Sequence, residues 1–497
     1  MHSLLLLDMA ASAHGERTAV QHGDRRLSYA GLLSAAWQVP ELVGDAPFLV
    51  HVAPNSLAFP IALFGAAAAG VACVPLKYRL PDDQLADLMA NQHGSLVVAD
   101  RQLAPRLSDL GQRVMTTEDL VAATSRGAEP GFSSADGDEV WLLLYTSGTT
   151  AAPKAALLRH RHVTSYVIGT VEFASAAESE AALVSVPPYH IAGVSNLLSN
   201  IYLGRRVIYL DRFDARQWLA TVARERVTHA MVVPTMLARI SDALDADPAA
   251  DLSSLVALSY GGSRTPVSVV ERIMERAPWA GLTNAYGLTE TSSTIAVLTP
   301  EDHRVALADP EPAGRARLSS VGRVLPGLEL SLRGPNSAEL PAGEVGEIWV
   351  RGDQVSGEYR GIGSVVDGSG WFPTRDRGWV DADGYLFVEG RSDDTIIRAG
   401  ENVAPAEIEE ALRGHPDVRE VAVVGVPDEE WGQRIAAVIV PAPGAMPDPE
   451  DIQTFARRRL RSSKTPDLIS FVPELPYTET GKLLRRVVLA DLIAGAQ

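Results

Sequence analysis

"VWLLLYTSGTTAAPK" runs from Val140 to Lys154. Its first part, Val140 to Tyr145, is uninterrupted apolar sequence and reads as a buried strand. The second part is a loop of small and hydroxylated residues. Thr146, Ser147, Thr149 and Thr150 offer hydroxyls, Gly148 lets backbone amides approach a ligand closely, and Lys154 adds a point charge. Leaving the carboxyl end of a strand, such a loop is built to hold an anion. It is not the GxxxxGK[ST] nucleotide loop, because Pro153 stands five residues after Gly148. The same residues also suit a polar turn ahead of a helix, so partners elsewhere in the chain must decide.

Apolar runs of strand length recur around this stretch: "FLVHVAP", "SLVVAD", "AALVSVPP", "RVIYL", "THAMVVP" and "LVALSYGG". Segments with helical spacing follow most of them, among them "DARQWLATVARERV" and "PVSVVERIMERA". Strands alternating with helices predict an α/β fold, with parallel-type sheets flanked by helices. From about Leu318 the pattern changes. "GEVGEIWVRG" and "GWVDADGYLFVEGR" alternate and turn at Gly and Asp, which predicts an antiparallel, β-barrel-like subdomain. After "GRSDD" come a helix, two strands and another helix, a small α+β domain. The predicted domains are 1–392 and 393–497, divided at Asp393.

A chain of 497 residues is too long for one ordinary core. Hydrophobic residues at 46% and charged residues at 21% mark a globular protein rather than a disordered one. The net charge of -18 argues against nucleic-acid binding, since a phosphate backbone would be repelled. A local basic pocket for a small phosphorylated ligand is compatible with it. Cys73, the single cysteine, sits in the apolar run "GVACVPL" and reads as a buried structural thiol. One cysteine excludes an intramolecular disulfide, and the cytoplasm is the expected compartment. The N-terminal "MHSLLLLDMAASAHGER" is too short in its apolar part for a signal peptide, and no later run reaches membrane-spanning length, so no membrane span is expected.

Three further stretches carry chemistry. "NAYGLTET", beginning at Asn284, sets Tyr286 and Gly287 beside Thr289, Glu290 and Thr291. A carboxylate among hydroxyls suits Mg²⁺, which prefers a few oxygen ligands plus phosphate; alone, the stretch also reads as a capped helix start. Asp376 can accept hydrogen bonds from ribose hydroxyls and Arg391 can donate to them. "PYTETGKLLRR" puts Lys482 on a glycine turn near the C-terminus.

The order of "YTSGTT..PK", "PPYHIAG", "NAYGLTET", "TRDRGWVDADGYL", "GRSDD", "GENVAPAEIE" and "TGKLLRR" resembles the adenylate-forming superfamily of acyl-CoA synthetases, peptide-synthetase adenylation domains and luciferases. The resemblance extends from Leu27 to Lys482. Each motif is weak alone, but together and in fixed order they are specific. The resemblance implies attack of a carboxylate on the α-phosphate of Mg-ATP, then transfer of the acyl group from the adenylate to a thiol, usually that of CoA. It also implies a small C-terminal domain that rotates between the steps.

Carried onto this chain, the resemblance gives Thr146, Ser147, Gly148, Thr149, Thr150 and Lys154 the β- and γ-phosphates. Ser263 and Tyr286 flank adenine, with Asn284 and Gly287 nearby. Thr289 meets the α-phosphate and Glu290 the metal, while Asp376 and Arg391 grip the ribose. Lys482 bridges carboxylate and phosphate, and Asp393 is the hinge. Gly400 lines the pantetheine tunnel, and Trp431 stacks on the CoA adenine or packs structurally. His190 gates an acyl pocket of Tyr189, Gly193, Val194, Met231, Met236, Tyr260, Gly261 and Leu288; a structural histidine is its alternative. Ala285 stands where an arginine would pair a second carboxylate, so the expected acid is hydrophobic or aryl.

The pattern breaks at Ala151 and Ala155, where the usual loop has glycines, at Arg375, where TGD is usual, and at Ala399. If the loop glycines need φ > 0, each alanine costs about 1–2 kcal/mol. An acid–CoA ligase is therefore the first reading. A variant that mainly thioesterifies a supplied acyl-adenylate is the second, and a non-catalytic nucleotide-binding relative the third. Amino-acid adenylation is disfavoured because "THAMVVPTML" has no acidic residue to meet an amine. The expected partners are the carboxylic acid, ATP or AMP, Mg²⁺, CoA and a second copy in a homodimer.

Overall fold

The apolar half of the opening stretch forms the strand Val140–Thr146, in which Trp141, Leu142, Leu143 and Leu144 are buried. The computed structural model describes residues 1–131, 136–146, 154–398, 401–428, 431–478 and 481–495. Among them, Val140–Thr146 lies inside an eight-stranded sheet and a second sheet has nine strands. The nine-stranded sheet is parallel in the middle and antiparallel at both ends, whereas the eight-stranded sheet is antiparallel at one end only and stays parallel to its other edge, Arg113–Thr116. In the nine-stranded sheet, Ala181–Val184, Arg206–Tyr209, His229–Val232, Ala257–Gly261 and Gly281–Leu288 pair in parallel. The strand Ser293–Leu298 then returns antiparallel to Gly281–Leu288. This is the α/β pattern that the alternation predicted, because strands connected through helices must run the same way.

Packing divides the chain into two units. The first comprises Met1–Leu318, Gly322–Glu329 and Val350–Phe372, and the second Ser319–Val321, Leu330–Trp349 and Pro373–Gln497. The packed division therefore does not fall at Asp393, which lies exposed in a short turn, Ser392–Asp394, within the second unit. The alternating strands after Leu318 belong mostly to that unit. Glu329–Arg333, Gly346–Arg351, Phe372–Val380 and Leu386–Arg391 form a four-stranded sheet.

The remainder of the second unit is a three-stranded sheet of Val418–Asp428, Gly432–Pro441 and Leu468–Phe471 with the helices Pro405–Arg413, Pro449–Arg457 and Arg485–Gly495. Its strands alternate strictly. Val421, Val423, Ile435, Ala437 and Ile439 enter one apolar cluster, while Ala422, Val424, Ala436, Val438 and Val440 enter another. A sheet buried on both faces needs apolar residues at every position, which is why "VAVVGV" and "IAAVIV" carry so little polarity.

Candidate active site

Val140–Thr146 pairs antiparallel with Lys154–Arg159, and the register sets Thr146 opposite Lys154 and Tyr145 opposite Ala155. The two ends of the hydroxyl-rich loop are thereby held side by side, and the Thr146 hydroxyl donates to the Lys154 carbonyl at 3.3 Å. Ser147, Gly148, Thr149, Thr150 and Ala151 fall outside the described residues. Ala155 is described, and it corrects one expectation. It is a buried strand residue whose carbonyl accepts from the Arg360 amide at 2.9 Å, and its φ is not positive. A methyl group there costs no left-handed strain.

The strand Gly281–Leu288 leads into a tight turn, Thr289–Thr291, that carries Glu290. Close backbone approach demands one glycine of this strand and one of its neighbour, Ala257–Gly261. A Cβ on Gly261 would lie 2.0 Å from the Ala285 carbonyl oxygen, and one on Gly287 would lie 1.8 Å from that of Ser293. Asn284, Tyr286, Leu288 and Thr289 are half-buried along this edge, while Ser263 follows Gly262 at the end of the neighbouring strand. Glu290 is 7% exposed.

Its carboxylate accepts a hydrogen bond from the Tyr359 phenol at 2.6 Å, and its carbonyl accepts from the amides of Ser356 and Gly357 at 2.8 and 3.4 Å. The Lys154 ammonium stands 5.9 Å from the centre of the Tyr359 ring. Beyond Glu290 the backbone is strained: Ser292 has φ 56° and Ser293 φ 128°. Gln354 holds this turn by donating to the carbonyls of Thr291 at 2.9 Å and Thr294 at 2.8 Å.

Among the described residues no three His, Cys, Asp or Glu side chains gather into a metal cage. Tyr359 engages one Glu290 oxygen and leaves the second able to face a cation. One carboxylate without further protein ligands around it fits Mg²⁺ bound largely through phosphate, and not a metal that requires a protein cage.

The gate histidine, His190, occupies the N-cap position of the helix Ile191–Leu203, and its ring lies 6.2 Å from that of Tyr189. Gly193 is required there, since a Cβ would sit 2.5 Å from the Pro187 carbonyl oxygen. The expected acyl pocket is only partly an open surface. Val194, Met236 and Tyr260 are buried in apolar clusters, whereas Met231 and Leu288 are half-buried on strands. Tyr260 donates its hydroxyl to His303 Nε2 at 2.8 Å, which withdraws that polar group from any acid. His303 Nδ1 faces the Thr299 carbonyl at 2.8 Å, and this sets the tautomer.

In the second unit, Asp376 and Arg391 face each other across the antiparallel pair Phe372–Val380 and Leu386–Arg391, with Arg391 Nη1 3.2 Å from Asp376 Oδ1. The ribose pair of the resemblance is thus assembled by strand register. Arg375, at the departure from TGD, has φ 61°, a left-handed backbone that glycine adopts without cost.

Lys482 stands in a tight hairpin. The Lys482 amide donates to the Thr478 hydroxyl at 2.9 Å, and the Thr478 amide donates to the Lys482 carbonyl at 2.8 Å. Just after it, half-buried Arg485 binds both oxygens of buried Glu409. Burial drives the Glu409 carboxyl upward, but Arg485 outweighs it and holds the group below the usual carboxylate range. Trp431 is 40% exposed, with the Arg398 guanidinium 5.4 Å from its ring centre. Gly400 and Ala399 fall outside the described residues.

The clamp of Gln354, Ser356, Gly357 and Tyr359 escaped sequence reading. "GEYRG" carries no catalytic signature, and its partner lies sixty-nine positions away.

The family described as AMP-binding enzyme matches residues 7–360, and its C-terminal domain matches residues 407–482. A feruloyl-CoA synthase of Amycolatopsis sp is 34% identical over 485 residues, covering 94% of this chain and 94% of that protein. A fatty acid–[acyl-carrier-protein] ligase of Streptomyces coeruleorubidus is 33% identical, covering 85% of this chain and 82% of the relative. Among solved structures, the o-succinylbenzoate CoA synthetase of Bacillus subtilis in complex with its acyl-adenylate intermediate superposes with a TM-score of 0.84 at 26% identity, over 97% of each chain.

Proposed function

The chain belongs to the AMP-binding enzyme family and is an AMP-forming acid–thiol ligase of the acyl-CoA synthetase type, and from that premise we propose that it activates a hydrophobic or aryl carboxylic acid for transfer to CoA. The observation that carries the reading is the meeting of Lys154, Tyr359 and Glu290, with Lys154 held opposite Thr146 by strand pairing. In the first step a carboxylate oxygen of the acid bonds to the α-phosphorus of ATP, and the bond to pyrophosphate breaks. Lys154 offsets charge on the leaving pyrophosphate, and Thr289 donates to the α-phosphate. Glu290 would hold Mg²⁺, which neutralises phosphate charge when bound. In the second step the thiol sulfur bonds to the acyl carbon, the acyl–oxygen bond breaks, and AMP leaves while the thiol proton passes to solvent. Positioning and charge stabilisation supply the rate in both steps.

The apolar character of Met231, Leu288 and the buried wall behind them supports an acid without a second charge. The name of the feruloyl relative supports an aryl group. Rotation at Asp393, Mg²⁺, a homodimer and a cytoplasmic site belong to the same proposal. The variant lacking efficient adenylation loses half of its motive at Ala155.

A panel of acids assayed for CoA thioester with ATP tests the reading, beside the same assay begun from synthetic acyl-adenylates. Lys482→Ala should abolish most ATP-dependent turnover and spare transfer from the adenylate. Equal loss in both assays would refute the role of Lys482, and no thioester from any acid would refute the ligase.

A further inference from the structure

We propose that Tyr359 is a positioning residue that couples the lysine at the phosphate loop to the carboxylate of the metal site. The proposal rests on the ligase reading above. Lys154 and Glu290 come from different sheets, the first on Lys154–Arg159 and the second after Gly281–Leu288. Tyr359 touches both, with its ring beneath the Lys154 ammonium and its hydroxyl on Glu290 Oε1 at 2.6 Å.

Tyr359 is itself fixed from several directions. It pairs with Ala156 on the lysine strand, and the adjacent Glu358 accepts from Arg159 at 2.7 Å. The Ser356 hydroxyl donates to the Leu157 carbonyl, while the Ser356 and Gly357 amides bind the Glu290 carbonyl. The segment Gln354–Tyr359 thus holds the strained Ser292–Ser293 turn on one side and the lysine strand on the other. A phenol donating to one carboxylate oxygen fixes the rotamer and directs the other oxygen. A carboxylate free to rotate would spend part of its binding energy on ordering.

Calorimetric titration with ATP, with and without Mg²⁺, and with AMP tests the assignment in the full-length enzyme without turnover. Tyr359→Phe keeps the ring and removes the hydroxyl. It should reduce the Mg²⁺-dependent gain in ATP affinity about tenfold, leaving Mg²⁺-free ATP and AMP within about twofold of wild type. Tyr359→Leu also removes the ring from Lys154 and should weaken Mg²⁺-free ATP, again sparing AMP. In a Glu290→Gln background, Tyr359→Phe should change nothing, because its effect passes through that carboxylate. An unchanged Mg²⁺ gain in Tyr359→Phe, equal weakening of all three ligands, or a full effect in the Glu290→Gln background would overturn the proposal. Failure of the wild type to bind ATP at all would instead remove the ligase reading on which it stands.

Discussion

At Arg375 the backbone φ is 61°, and the side chain is exposed. An L-residue in that region costs about 1–2 kcal/mol, of which glycine recovers all but the extra freedom it brings to the unfolded chain. Arg375→Gly should therefore raise stability by about 0.5–1 kcal/mol, read as a shift in the urea midpoint at constant slope. A lower midpoint would mean that the guanidinium makes a compensating contact. Ser292 and Ser293 are strained as well, but their surroundings differ. Both are buried, and the Ser292 hydroxyl donates to the Gln354 carbonyl at 2.9 Å, so the clamp around Glu290 holds their strain in place.

Among elements, the paired strands Val140–Thr146 and Lys154–Arg159 decide how Ala155 acts. Ala155 lies in the ladder, so Ala155→Gly should lower stability by about 0.5–1 kcal/mol and leave ATP–pyrophosphate exchange unaltered. Ala151 retains the original expectation, that a methyl on the loop hinders the backbone from closing on pyrophosphate. Ala151→Gly alone should then accelerate exchange, with transfer from a preformed acyl-adenylate unchanged. Acceleration by the change at 155 and none at 151 would reverse this assignment.

For the whole molecule, buried histidines set the response to acid. Burial holds His51 down to about 3, and both of its ring nitrogens lack a hydrogen-bond partner among the described residues. His160 is likewise held at about 3, first by burial and then by the charges of His2 and the N-terminus. Unfolded histidine titrates near its ordinary value, about 6.5, so between there and about 3 the unfolded chain binds more protons than the folded one. Stability then rises with pH, and it is lost as pH falls below about 6.5. Each fully neutral histidine contributes a slope of about 1.4 kcal/mol per pH unit. Denaturation midpoints from pH 6.5 to 4.5 should fall steeply, and His51→Leu should flatten the curve by about one proton. An unchanged slope in that variant would show that His51 is not neutral in the folded chain.

The sequence by itself determined the kinds of element and their order. Alternating apolar runs and helical spacings are local signals, and a strand such as "VWLLLY" is buried wherever it lies. Glu290, Asp376, Arg391 and Lys482 stand in short contiguous motifs, which is why the sequence alone singles them out as candidates. Tertiary structure decided what depends on register and packing. Only the pairing of Tyr145 with Ala155 shows that this alanine needs no glycine conformation. Only the hydrogen bond from Tyr260 to His303 removes a hydroxyl from the expected pocket. Only the approach of Tyr359 to Glu290 joins two segments that no spacing rule connects. The last two contacts link residues far apart in the chain, and one sequence carries no local trace of them, because either partner alone has many equally good neighbours.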